Sequence, residues 1–421
     1  MKKFFAAGTT LAAAALLLSG CGGGDATTGS SDSPSADPSA ETTSTAGQLT
    51  IWVDETRQTA LQDAAAKFEQ DNGVTVNLEL HNFDDIRNDF ATQVQNGAGP
   101  DITVGANDWL GEFVEKAVIA PVDLSSVASE LDSRAVKAYE SDGQTYGVPY
   151  ALENIALFRN NALDSDTSAQ TFDDLIAEGK EAGTQYSVLV QMGENGDGYH
   201  MYPIQSSFGA HVFEQDANGD FTCQLAMGGD AGHNFANYLK KIADEGVTGP
   251  SITQDIVTDA FKNGEVPYII TGPWNSPDFT AAGLDYSVLA IPSAGGQPSQ
   301  ALMGVPGFYL SANSQNGLMA NEFLLNYITD KDVQLELFQA GGRPPANLAA
   351  QQDPSVMNDP VASGFALQAE NSIVQPSIPA MNSVWGPWGT TEKNISDGTA
   401  ADPAAAWDQM ITDITNAIGT C

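Results

Sequence analysis

The sequence predicts an α/β protein. Over residues 48–116, short apolar runs that suit strands alternate with segments whose apolar residues recur at helical spacing, the order expected of βαβ units in a parallel sheet. Hydrophobic residues make up 42% of the 421, enough for a sizeable core rather than a disordered chain. The length suggests two or three domains, at roughly 100–200 residues each.

The first 47 residues stand apart from that body. Residues 1–21 open with Lys2 and Lys3, continue through an apolar run broken only by Gly8, Thr9 and Thr10, and end Leu18-Ser19-Gly20-Cys21. The run is short of the ~20 apolar residues that a membrane span needs and reads as a signal peptide. Its end resembles the bacterial lipobox, which implies that Cys21 is lipidated and heads the mature chain. An ordinary secretory signal with a chance Cys is the plainer alternative. Residues 22–47 contain no aromatic residue and no Leu, Ile, Val or Met. Such a segment cannot bury enough surface to offset chain entropy, so it is expected to be a disordered tether.

The body's elements follow in order. Residues 48–53 are a strand. Ala60, Leu61, Ala64, Ala65 and Phe68 share a helical face, and Gly73 stops that helix. A strand over 74–80, a helix over 84–94, a strand over 101–104 and a helix over 108–116 come next. Residues 147–158 form one long extended apolar run. Asn218-Gly219 between polar flanks is a hairpin turn. The acids around it do not continue to the Glu that a calcium loop requires. Helices over 234–243 and 252–262 precede a strand over 268–271, which runs into Gly272-Pro273-Trp274. Helices over 321–329, 331–340 and 405–418 complete the chain.

Charge and cysteines narrow the partners. The formal net charge is −38. Setting aside Lys2, Lys3 and the tether's Asp25, Asp32, Asp37 and Glu41 leaves 14 basic and 50 acidic residues in the body. A surface this negative repels phosphate backbones and anionic lipid, which excludes nucleic acid as a partner. Three cysteines are too few for a disulfide scaffold. Cys223 and Cys421, the pair left in an exported body, form a candidate disulfide or remain two free thiols.

No catalytic or cofactor motif is present: no Gly-x-Ser-x-Gly, no phosphate-cradling loop and no dinucleotide fingerprint. His81, His200, His211 and His233 lack metal-ligand spacing, so no metal and no cofactor are expected. His200, in a turn-rich stretch, is a packing residue or a cleft residue. The tryptophans are more informative. Trp52, Trp109, Trp274, Trp385 and Trp388 fall at or near element ends, where open α/β sheets place ligands, and Trp407 reads as core. Acids sit beside them: Asp54 and Glu55, Asp108, and Glu153 in the extended run. Flat aromatic faces stack on the C–H faces of sugar rings, and carboxylates accept from sugar hydroxyls. Core indoles with solvated acids are the other reading of these residues.

In order along 48–418, the body resembles the sugar-binding proteins of ABC transporters, most closely the maltose/maltodextrin branch. The resemblance rests on Leu49 to Val53 with Lys67 to Val74, on Gly99-Pro100-Asp101-Ile102 followed by Asn107-Asp108, and on Val148 to Glu153. It continues through Ala260 to Glu265 into Gly272-Pro273-Trp274, then Gly296 to Ser299 and Ile378 to Met381 with Trp385. It implies a two-lobed periplasmic-binding-protein-like fold with the ligand cleft between the lobes. The implied boundaries are 48–152 plus 303–348 for the N-lobe and 153–302 plus 349–421 for the C-lobe. Cys223 and Cys421 would then share a lobe, which favours pairing.

By position the resemblance implies that Asp108, Glu153 and Asp197 hold hydroxyls and that Tyr199, Trp274 and Trp385 stack. Asp54 or Glu55, with Arg57, stands for an acid–base pair near the first strand. Gly105 replaces a family Trp, Trp109 an Arg and Gly386 an aromatic, so stacking area is expected to have moved to Trp109 and Trp388. The implied function is an extracytoplasmic, lipid-anchored, monomeric receptor, not an enzyme, that delivers a maltodextrin-type oligosaccharide to a permease. A galactoside such as a raffinose-like sugar is the alternative ligand. A glycoside hydrolase and a glycan-binding adhesin are rivals from other classes, since paired carboxylates beside a sugar serve a hydrolase equally well.

Overall fold

The computed structural model describes residues 47–419; the signal sequence, Cys21, the tether up to residue 46 and Cys421 lie outside them. Two sheets organise the chain. In the first, strand Gln48–Val53 lies between Thr75–Leu80 and Ile102–Ala106, parallel to both. The βαβ order drawn from the sequence accounts for these three strands. The sheet then becomes mixed, because Pro306–Ser311 returns from far along the chain and pairs antiparallel with Ile102–Ala106. Ile119–Ala120 and Gly147–Pro149 both pair with this returning strand.

The helices on this sheet are closed by local chemistry. Asp54 caps Glu55–Ala60 through the backbone N–H of Arg57, and Asn82 caps Phe83–Gln95 through that of Asp84. Gly73 ends Gln62–Asn72 in the left-handed region, at φ 68°, where a side chain would be strained. Strand and helix faces meet in one core that includes Leu49, Ile51, Trp52, Phe68, Phe90, Phe113, Phe308 and Phe323, and all its fully buried members fall within 49–152 and 303–346. Trp52, at the end of the first strand, is therefore a core residue, with its ring 4.0 Å from that of His81.

The second sheet has strand Ala156–Asn160 paired antiparallel with Tyr286–Leu289 on one side and with Tyr268–Thr271 on the other. Val188–Val190 lies parallel beyond Tyr268–Thr271. One face packs on a core that includes Tyr202, Phe235, Trp388 and Trp407; the other packs on Phe158, Phe261, Phe279 and Phe365. The Asn218-Gly219 turn joins strands Phe213–Gln215 and Phe221–Leu225, with Gly219 at φ 81°. Residue 223 is disulfide-bonded; its expected partner Cys421 lies outside the described residues.

The extended run 147–158 is not one strand. Its first part belongs to the first sheet and Ala156–Asn160 to the second. Between them it runs beside two other segments. Glu153 and Gly304 exchange backbone bonds at 2.9 and 2.8 Å, Leu152 N–H donates to Pro344 O at 2.9 Å, and Ala346 N–H donates to Tyr150 O at 2.9 Å. Three distant pieces of chain thus form a narrow ribbon between the two halves of a two-lobed fold.

Phe158 sits at the centre of the smaller core, with rings of Phe261, Phe279, Tyr286 and Phe365 at 5.6–6.3 Å. Phe158→Ala is expected to cost about 3–5 kcal/mol. Urea unfolding of the variant measures it, and a loss below about 1 kcal/mol would remove Phe158 from that central place.

Candidate functional site

The ribbon carries the densest set of functional side chains. Glu153, on its first segment, accepts from Arg343 Nε, on its third, at 2.5 Å. The Arg343 guanidinium lies 5.8 Å from the centre of the Trp274 ring, which the Gly272-Pro273-Trp274 turn presents at the end of its strand. Tyr199 stands 6.5 Å from the same ring and His200 6.1 Å, the latter edge-on. Both rise from the first turn of helix Gly198–Ser206, which Asp197 caps. One Asp197 oxygen accepts from His200 N–H at 3.0 Å; the other accepts from Gln191 Nε2 and His200 Nδ1, both at 2.8 Å.

That network orients the imidazole with Nδ1 toward Asp197 and Nε2 away from it. His200 Nε2 and Tyr199 Oη are buried without a partner among the described residues. Buried polar atoms are normally satisfied, so two open ones flanking an indole face mark a place where a polar molecule fits. Burial raises the Tyr199 phenol well above its usual range, and the charges of Glu153 and Asp197 push the same way. Asp197 itself is held low: burial opposes its charge, but His200 and Gln191 outweigh that.

The first lobe faces this cluster with Arg57 and Asp108. Arg57, buried, donates Nε–H to Tyr150 Oη at 2.7 Å and pairs with Asp54. Its guanidinium also lies 4.9 Å from the Phe83 ring. Burial works against its charge, yet Tyr150, Asp54 and Glu153 together hold it above its ordinary value. Asp54 is thus both a helix cap and the partner of Arg57, while Glu55 points outward and is exposed. Asp108, in the turn Asn107–Trp109, is only 6% exposed. It accepts from Trp385 Nε1 at 3.2 Å and lies 3.9 Å from Arg87. Burial raises its carboxyl despite those two partners.

Two expected stacking residues are elsewhere. Trp109 is 6% exposed and sinks into the first core between Phe83, at 5.2 Å, and Phe113, at 5.9 Å. A Cβ on Gly105 would come within 2.6 Å of the Trp109 ring, so Gly105 and Trp109 are one packing solution. Trp388 is 0% exposed and donates to Gln205 Oε1 at 2.9 Å. It lies under Trp385, nearly parallel at 5.5 Å, and against Gly198, whose Cβ would strike its ring at 2.5 Å. Trp388 therefore supports Trp385 and the start of helix Gly198–Ser206 from beneath. Trp385 and Trp388 lie in the first turn of helix Trp385–Ser396, where a residue three further on faces inward.

Sequence reasoning missed Arg343 and Glu392. Arg343 lies in Gly341-Gly342-Arg343-Pro344-Pro345, where no periodicity singles it out. Glu392 lies one turn beyond Trp388, 0% exposed, with both oxygens unpartnered among the described residues. Burial first, then the Asp197 charge, raises it well above the ordinary carboxyl range. No sequence signal separates it from the chain's many acids.

Two lobes joined by an extended ribbon, with aromatic and charged side chains meeting where they face each other, define a solute receptor with its site between the lobes. The chain belongs to the family of bacterial extracellular solute-binding proteins, which matches residues 63–363. It is 24% identical over 393 residues to the galactooligosaccharide-binding protein of Bacillus subtilis, covering 89% of this chain and 90% of that one. It is 25% identical over 348 residues to the maltooligosaccharide ABC transporter solute-binding lipoprotein of Streptococcus pneumoniae R6, covering 81% and 82%. Among solved structures it resembles the maltotriose-binding protein of Thermus thermophilus, bound with maltotriose. The TM-score there is 0.80 at 26% identity, over 88% of this chain and 100% of that one. A cyclo/maltodextrin-binding protein complexed with maltotetraose gives 0.74 at 28% identity, over 90% and 98%.

Glu392 gives the site's architecture a pH signature. An acid whose folded value is raised stabilises the fold below its unfolded value, near 4.5, and loses that contribution as pH rises through the folded value. Glu392→Gln is therefore expected to stabilise the protein more at pH 8 than at pH 5. Urea unfolding of both proteins at the two pH values tests this; a difference that does not change with pH would refute it.

Proposed function

We propose that this protein is the extracytoplasmic solute-binding component of an ABC importer and that it captures maltodextrin-type oligosaccharides. The observation that carries the reading is the Trp274 face with Tyr199, His200, Glu153 and Arg343 around it, an apolar platform edged by open donors and acceptors. Charge points to a neutral ligand. Arg57 is matched by Asp54 and Arg343 by Glu153, so neither cation is left to draw an anion. Sugar C–H faces suit the indole and sugar hydroxyls suit the rim. The named ligands of the structural neighbours, maltotriose and maltotetraose, support the maltodextrin class.

In this reading Asp108 and Glu153 accept from hydroxyls, Tyr199, Trp274 and Trp385 provide stacking faces, and Arg57 with Asp54 orders the first-lobe side. The N-lobe is 48–152 plus 303–348 and the C-lobe 153–302 plus 349–421; the two separate sets of core residues support that division. Cys21 carries the lipid, Cys223 pairs with Cys421, and the receptor works as a monomer that hands its sugar to a permease without chemical change. The lipoprotein named among the relatives supports the anchor. A galactooligosaccharide is the second reading, favoured by the B. subtilis relative that covers 89% of this chain.

Tryptophan fluorescence titration of the purified protein with maltose, maltotriose, maltotetraose, raffinose and lactose separates these readings. A saturable change with a maltodextrin is expected, and Trp274→Ala is expected to weaken it at least tenfold, or about 1.4 kcal/mol. Response to raffinose or lactose alone would move the specificity to galactosides. Unchanged affinity in Trp274→Ala would discard the site.

A further inference from the structure

The ribbon has two faces, because alternate side chains of an extended segment point to opposite sides. Leu152, Asn154, Met303 and Pro344 turn one way and line a cavity of about 450 Å³. Glu153, between Leu152 and Asn154, and Arg343, next to Pro344, meet on the other side, beside Trp274. Arg343 is 11% exposed at its side chain, yet its hydrogen bonds are few. Of its five N–H groups, Nε–H reaches Glu153, and one on Nη1 reaches Gly341 O at 3.5 Å, the limit of a hydrogen bond. The remaining three have no hydrogen-bond partner among the described residues.

The backbone is shaped around this guanidinium. A Cβ on Gly341 would stand 2.8 Å from Arg343 Nη1 and 3.1 Å from Thr56 Cγ2. A Cβ on Gly342, at φ 67°, would stand 2.6 Å from Pro273 O. The two glycines let the third ribbon segment close onto the Pro273-Trp274 turn and leave room for a planar cation above the indole.

We propose that Arg343 is a ligand-binding residue, which donates directly to hydroxyls of a sugar stacked on Trp274 while Glu153 accepts from a neighbouring hydroxyl. This rests on the reading of the cleft as a sugar site and adds to the carried-over residues a guanidinium on the ribbon itself, beside Trp274. A planar fork with one edge fixed on a carboxylate and the other open matches two adjacent hydroxyls, whereas an ammonium offers one point. Because Glu153 already neutralises the cation, the pair selects a neutral polyol over a uronate or a sugar phosphate. Its place on the ribbon also ties ligand contact to the segments about which the lobes turn.

The alternative role is that Arg343 only orients Glu153, and a double-mutant cycle separates the two. Maltotriose affinity of the full chain is measured by tryptophan fluorescence for wild type, Arg343→Met, Glu153→Gln and the double variant. Raffinose is used in the same cycle if it is the sugar that binds. The proposal expects Arg343→Met to weaken binding at least thirtyfold in wild type and still at least tenfold in the Glu153→Gln background. A loss of less than twofold in that background would overturn it, since Arg343 would then act only through Glu153. Gly341→Ala, which keeps both charges but crowds Nη1, is expected to weaken binding at least threefold, and no change there also counts against the proposal. It serves as well if Arg343→Met does not fold. A wild-type protein silent to every sugar overturns the functional reading and this assignment together; a responsive wild type with a flat cycle overturns this assignment alone.

Discussion

The backbone ladder between Glu153 and Gly304 is the constraint on which the rest depends. It is a short exchange of two hydrogen bonds, extended on one side by Leu152 to Pro344 and by Ala346 to Tyr150. It brings residues about 150 to nearly 200 positions apart into register, and that register decides which side chains turn toward the cleft. A slip of one residue would put Leu152 or Asn154 where Glu153 stands, since strand alternation reverses with each step. The carboxylate that meets Arg343 is thus a consequence of backbone pairing as much as of its own chemistry.

Around that ribbon, packing residues position the ones that present a surface. Trp388 holds Trp385 by stacking and closes on Gly198, so helix Trp385–Ser396 and the start of helix Gly198–Ser206 pack as one block. Gly196 adds to this, because a Cβ there would overlap Gly389 O at 1.8 Å. Asp197 then orders His200 and the first turn that carries Tyr199. The buried Glu392 lies within the same block, where burial favours its neutral form. A neutral acid there avoids adding a second negative charge beside Asp197.

Much of this was legible in the sequence. Regular helices and strands with clear periodicity, such as Gln62–Asn72 and Phe83–Gln95, stand where the apolar spacing put them. The returning strand Pro306–Ser311 was not legible, because an apolar run gives no hint of which distant strand it joins. Periodicity did not divide 147–158, because both halves are extended and only tertiary pairing assigns them to different sheets; the boundary inside the run at 152/153 came from the resemblance alone. Glu153 and Trp274 carried a pattern of neighbours that made their resemblance readable, whereas Arg343 sat among glycines and prolines that give no periodic signal. Trp388 was expected to restore stacking area lost at Gly386, but a helix starts at Trp385, with Pro387 tolerated in its first turn, and turns Trp388 into the core.

Contacts between the two halves of the fold converge on Asp108. They include the Asp108 bond to Trp385 and the Arg87 bond to Asn382 at 2.6 Å. Lys137 and Asp220 also pair across the lobes, but both are largely exposed and add little. Burying Asp108 is unfavourable to its charge, and Arg87 at 3.9 Å and one indole N–H offset that only in part. A hydroxyl donating to this carboxylate would add the charge-assisted bond that the protein supplies incompletely. A sugar seated against Asp108 would offset part of the penalty that burial places on its charge, and a solute without hydroxyl donors would leave that penalty in place.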